Sequence, residues 1–121
     1  MAPVMLDQAT FKDKVRSGIV LVDFWAPWCG PCRAFAPIFA KAAEENPDIL
    51  FGKLNTEDEP ELAMDYGVGA IPTLMAFRDG YLVFEQAGAV PLHVLRRIID
   101  QIRNLDMDEV RSQQHAHAAA S

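Results

Sequence analysis

The sequence predicts a single α/β domain, and three observations carry that expectation. Strand-like runs alternate with helical periods from the N-terminus to about Arg103. The run Ile19-Val20-Leu21-Val22-Asp23-Phe24-Trp25 is almost unbroken in β-branched and aromatic residues, as expected of a central strand covered on both faces. The dipeptide Asp79-Gly80 lies between two further strand-like runs and has the composition of a two-residue hairpin turn.

Each element has its own signal. Val4 to Leu6 is a short apolar segment that reads as an edge strand. Asp7 then caps a first helix, with Phe11 and Val15 on one face and Gly18 near its end. After the central strand and Ala26-Pro27, a helix runs to about Glu45 with Ala34, Phe35, Ile38, Phe39 and Ala42 at helical spacing; Pro37 inside it should bend it. Asn46-Pro47-Asp48 breaks the period, and Ile49 to Asn55 is the next strand. Pro60 suits the first position of a helix whose apolar face is Leu62, Ala63 and Tyr66 and which Gly67 closes. Thr73–Arg78 and Tyr81–Gln86 form the hairpin. A last helix follows, with Leu92, Leu95, Ile98, Ile99 and Ile102 as a stripe opposite Arg96, Arg97, Asp100 and Arg103. The order is βαβαβ, then α, then ββα. From about Asn104 the period fades, and 106–121 is expected to be an extension that is disordered or a frayed helix, beyond a domain spanning 1–105.

Composition bounds the function. The chain has 121 residues, half of them apolar and 23% charged, which is the balance of a globular domain with one core. A net charge of −6 disfavours a general nucleic-acid partner, which wants a basic face. No apolar stretch approaches the roughly 20 residues of a membrane span, and no membrane partner is expected. Met1 to Asp7 shows no basic and apolar leader, so the expected location is the cytoplasm. In that setting two cysteines point to redox or metal chemistry and not to a static staple.

Those two, Cys29 and Cys32, lie in Trp28-Cys29-Gly30-Pro31-Cys32, where the central strand stops and a helix begins. On a first helical turn, residues three apart have Cβ atoms roughly 5–6 Å apart, which permits an internal disulfide after a small adjustment. A zinc site would need two more ligands, and the histidines on offer are His93, His115 and His117.

Further matches run through the chain in order: Val22-Asp23-Phe24-Trp25-Ala26, Ala36-Pro37, Lys53-Leu54-Asn55, Tyr66-Gly67-Val68, Ile71-Pro72-Thr73 and Gly88-Ala89. Together with the cysteine motif they resemble the thioredoxin family over about residues 4 to 103. The resemblance implies the thioredoxin fold, a mixed central β-sheet with helices on both faces. It also implies a general protein dithiol-disulfide oxidoreductase with no cofactor of its own, re-reduced by an NADPH-dependent thioredoxin reductase.

Within that reading Cys29, at a helix N-terminus whose dipole favours a thiolate, is the attacking thiol, and Cys32 is the resolving thiol. Asp23, a carboxylate in an apolar strand, has its pKa raised by desolvation and suits a general base or acid for Cys32. Lys53 either tunes Asp23 or simply reaches water from its strand. The resemblance further implies a cis bond at Ile71–Pro72. Trp28, Gly30, Pro31, Ala70, Ile71, Pro72, Gly88 and Ala89 then form a mostly apolar surface for disulfide-containing client proteins. Trp25 is expected to pack, and the acidic run Glu57-Asp58-Glu59 with Glu61 and Asp65 to complement a helix start. The protein is expected to be a monomer. An oxidase or isomerase of an oxidising compartment, or a binding module without chemistry, are the rival readings.

Overall fold

The computed structural model describes residues 2–120, with side chains described through residue 114; those of His115 and His117 lie outside the described residues. Five strands form one sheet: β1 (Val4–Met5), β2 (Ile19–Trp25), β3 (Leu50–Asn55), β4 (Thr73–Arg78) and β5 (Tyr81–Ala87). The order across the sheet is β1-β3-β2-β4-β5, so the most apolar run in the sequence is also the middle strand. Strands β1 and β3 are parallel, as are β2 and β3, whereas β4 pairs antiparallel with both β2 and β5. The sheet is therefore mixed, as expected.

Helices α1 (Phe11–Lys14), α2 (Gly30–Glu45), α3 (Pro60–Asp65) and α4 (Leu92–Arg103) cover its two faces, and α5 (Met107–Ala120) follows. The alternation of side chains along β2 divides the core. Leu21 packs with Phe35 and Phe39 of α2 and with Leu95, Ile98, Ile99 and Ile102 of α4. Val20, Val22 and Phe24 pack on the opposite face with Phe11 of α1 and Leu62 of α3. By the same period-two rule Asp23 shares the face of Leu21, beneath α2.

The turns obey their residues. At the hairpin tip Asp79 and Gly80 have φ of 52° and 89°, the pair of positive values that a type I′ turn demands. Helix α3 ends on Gly67 at φ 68°, whose N–H donates to Met64, while the Val68 N–H donates to Ala63. This 6→1 and 5→2 pairing uses two carbonyls that the helix end would leave bare. Helix α2 continues through Pro37.

The C-terminal end of α4 is fastened by two arginines. Arg103 donates to both carboxylate oxygens of Asp48 at 2.6 and 2.9 Å and to Asn46 Oδ1 at 2.9 Å, tying α4 to the α2–β3 loop. Its guanidinium holds the Asp48 carboxyl below the usual carboxylate range. Arg78 Nη1, from β4, donates to the carbonyls of Ile102, Arg103 and Leu105 at 2.9, 3.2 and 3.2 Å. It thereby serves carbonyls at and just past the α4 C-terminus that have no next turn to receive them.

Past Leu105 the chain turns into α5. Asp106 Oδ1 accepts the backbone N–H groups of Asp108 and Glu109, a side-chain cap for the new helix. Met107 is buried, and Val110 and Leu105 line a shallow hollow together with Leu82 and Val83 of β5. The extension from residue 106, expected to be disordered or a frayed helix, opens as a helix with a side-chain cap and one buried residue. Among the described residues no helix is long and apolar enough to cross a membrane.

Candidate active site

The central strand and the helix after it build the site. Cys29 is the N-cap of α2, in extended backbone at φ −87° and ψ 113°, and Gly30 and Pro31 form the opening turn. Pro31 loses nothing there, because the first amides of a helix have no intrahelical acceptor. Cys32 follows one turn in, with its Cα 5.2 Å from that of Cys29, and the two sulfurs are joined in a disulfide.

The Cys29 sulfur is surrounded by polar backbone. Its Sγ accepts the Cys32 amide N–H at 3.1 Å and lies 3.8 Å from the carbonyl oxygen of Ile71. The second approach is a contact and not a hydrogen bond, because a disulfide sulfur carries no proton to donate. Cys29 is only 4% exposed and Cys32 2%. As the attacking thiol, Cys29 is expected to stand exposed at the start of the helix. The structure instead closes it, since the S–S bond, the amide and the Ile71 carbonyl occupy three sides of the sulfur. On reduction the amide and the positive end of α2 favour the thiolate over the thiol.

Asp23 is fully buried, and neither of its carboxylate oxygens has a hydrogen-bond partner among the described residues. Burial pushes its pKa up from 3.8 to about 6, against an opposing pull from the Lys53 ammonium. Its placement toward Cys32 follows from the helix stripe. Cys32, Phe35 and Phe39 form the buried edge of α2, and the last two pack on Leu21. Helix α2 runs back along β2, so Asp23, two residues nearer the strand's C-terminal end, falls below the turn that carries Cys32.

Lys53 is the register partner of Asp23 on β3, as expected of a neighbouring strand. Its ammonium lies 4.5 Å from the centre of the Trp25 ring. Trp25, expected only to pack, thus also supports a cation.

The remaining predicted residues gather around the disulfide. The Ile71–Pro72 bond is cis. Gly88 N–H donates to the Pro72 carbonyl at 2.7 Å, which draws the end of β5 onto the proline loop. Trp28, Gly30, Pro31, Ala70, Gly88 and Ala89 are exposed and Ile71 is partly so, whereas Pro72 is buried, so its ring lies under the surface and not on it. Trp28 is 65% exposed, a large apolar ring on the rim rather than in the core.

One residue of the rim escapes the sequence reading. Glu57 Oε1 accepts the Trp28 indole N–H, so the first member of the acidic run holds the rim tryptophan instead of serving the helix start. The available signal was topological: β2 and β3 are parallel neighbours, so the loops leaving their C-terminal ends, with Trp28 and Glu57, emerge side by side. Among the described residues no three His, Cys, Asp or Glu side chains gather as a metal site.

A family model described as Thioredoxin matches residues 2–101. A Streptomyces coelicolor protein provisionally named thioredoxin 2 is 55% identical over 109 residues, covering 89% of this chain and 81% of the relative. Thioredoxin 1 of Synechococcus elongatus is 49% identical, over 77% of this chain and 90% of its own. Among solved structures, a mutant thioredoxin from Halobacterium salinarum superposes with a TM-score of 0.80 at 33% identity, covering 86% of this chain and 93% of that one. A match across most of the chain, at these identities and on this fold, means that the protein belongs to the thioredoxin family and is a protein-disulfide oxidoreductase whose redox-active pair is Cys29 and Cys32.

Proposed function

We propose that the two cysteines have unequal roles in reducing client disulfides. In the reduced protein the Cys29 thiolate attacks one sulfur of a client disulfide. A new S–S bond forms as the client bond breaks, and the other client sulfur leaves as a thiolate. Cys32 then attacks Cys29 Sγ and expels the second client sulfur, leaving the Cys29–Cys32 disulfide. Two electrons pass to the client.

Asp23 takes the proton from the Cys32 thiol in the second step. A carboxyl raised to about 6 is a better match to a thiol near neutral pH than an ordinary aspartate. Lys53 tempers that rise. Trp28, Gly30, Pro31, Ala70, Ile71, Gly88 and Ala89 receive the client segment, and Pro72 shapes the loop from beneath. The carbonyl of Ile71 beside Cys29 is a backbone acceptor for an extended client strand.

The domain of residues 1–105 carries this chemistry as a monomer in the cytoplasm, and 106–121 is an extension outside it. Electrons return from an NADPH-dependent flavoprotein, a thioredoxin reductase. The observation that carries the reading is the redox pair seated at the N-terminus of α2, with the amide of one cysteine donating to the sulfur of the other. The test is NADPH-dependent reduction of a protein disulfide with thioredoxin reductase present. Cys29→Ser should abolish turnover; activity that survives it overturns the assignment.

A further inference from the structure

We propose that Trp25 is a positioning residue for the resolving step: its indole face holds the Lys53 ammonium in place and so sets how strongly Asp23 feels a positive charge. The proposal rests on the reading of Asp23 as the proton acceptor of Cys32. Four observations lead to it.

Trp25 lies two residues beyond Asp23 on β2, so both side chains belong to the same face of the sheet. Lys53 is the register partner of Asp23, and its ammonium is 4.5 Å from the Trp25 ring centre, within the range of a cation–π interaction. The Asp23 oxygens have no hydrogen-bond partner among the described residues, so Lys53 acts on Asp23 through space and not by direct contact. The Trp25 Nε1 is buried and likewise without a partner among them, so the ring is not held there by its own polar atom.

A lysine ammonium is strongly hydrated and sits on a flexible stem, and from a strand it normally turns to water. The ring face is what retains it near Asp23. Among the described residues no other charge competes. From β3 comes Lys53 alone, from β4 the register partner Leu74, and from α2 the cysteines, which do not titrate while joined. Helix α4 turns Leu95, Ile98, Ile99 and Ile102 to this face, and its Arg96 and Arg103 are engaged by Glu45 and Asp48.

The test is the carboxyl titration of Asp23, read by carbon-13 NMR in the oxidised full chain, where no thiol titrates alongside. Trp25→Leu removes the π face and releases Lys53 to water. The Asp23 midpoint should then shift upward by about half a pH unit. Trp25→Phe, which keeps a weaker face, should move it less in the same direction. In a Lys53→Met background neither substitution should move it further. Equal shifts in the two backgrounds overturn the proposal, because Trp25 then acts by burial alone; so does no shift, or a downward one. If the leucine variant fails to fold, the phenylalanine variant read in both backgrounds decides by the same criterion.

The pH profile of client reduction separates the two layers. Its acid limb should follow the Asp23 midpoint in Trp25→Leu. A midpoint that moves beneath an unmoved profile overturns the base role of Asp23 and with it any role of Trp25 in the step.

Discussion

Replacing Asp23 by Asn should stabilise the oxidised protein near neutral pH and lose that advantage in acid. The carboxyl is fully buried, and its pKa rises from 3.8 in an unfolded chain to about 6 in the fold. The folded state therefore holds the Asp23 proton more tightly than the unfolded state does. That contribution is fully present below the unfolded value and is lost as pH rises through the folded one. A difference of about two pH units corresponds to roughly 3 kcal/mol at about 1.4 kcal/mol per unit. Above that window the wild type folds around a buried charge, and Asn, of nearly the same shape, never carries one. Urea unfolding of both proteins at about pH 8 and about pH 3.5 measures the effect. With a slope near 2 kcal/mol per molar, the difference between their midpoints should grow by about 1.5 M from the acid to the alkaline condition. A difference that does not change with pH, or an Asn variant less stable than wild type at about pH 8, refutes the claim that Asp23 is buried without a compensating partner.

Three other outcomes are expected. Glu57→Gln weakens the hold on the Trp28 indole and should raise KM for protein disulfides several-fold with little change in kcat, as read by steady-state reduction. Arg78→Met strands the carbonyls of Ile102, Arg103 and Leu105 and should lower stability by about 1–3 kcal/mol; amide exchange should show α5 and the end of α4 opening first. Gly52→Ala would set a methyl group 2.8 Å from Leu6 Cγ, where β1 meets β3. Overpacking there should lower stability by about 1–3 kcal/mol, measured by thermal unfolding, and leave turnover per folded molecule unchanged.

Local chemistry made most of the fold legible. The run Ile19–Trp25 announced a strand buried on both faces, and Asp79-Gly80 announced the tight turn that lets Arg78 face Tyr81. Pro60 and Gly67 marked the two ends of α3 because each residue satisfies a backbone demand at that end alone. Helix α5 was less legible. Its stability comes from a cap at Asp106 and from one side chain, Met107, that reaches the core, and a single apolar residue makes no period. In the site, the sequence placed Cys29, Cys32 and Asp23 by position along one strand and one helix. The links it missed, Trp28 to Glu57 and Lys53 to Trp25, join different strands or loops and depend on side-chain direction. The closure of Cys29 was also beyond it, because the carbonyl against the sulfur comes from Ile71, 42 residues away.

The unequal roles of the two cysteines are tested most directly by single-turnover reaction of each single-cysteine variant with a protein disulfide, followed by intact mass spectrometry. Cys32→Ser should accumulate a stoichiometric mixed disulfide through Cys29 that does not resolve, and Cys29→Ser should form almost none over the same time. Equal adduct formation through Cys32 would contradict the account, because the sulfur set against the amide and dipole of α2 would then hold no advantage over the one a turn deeper.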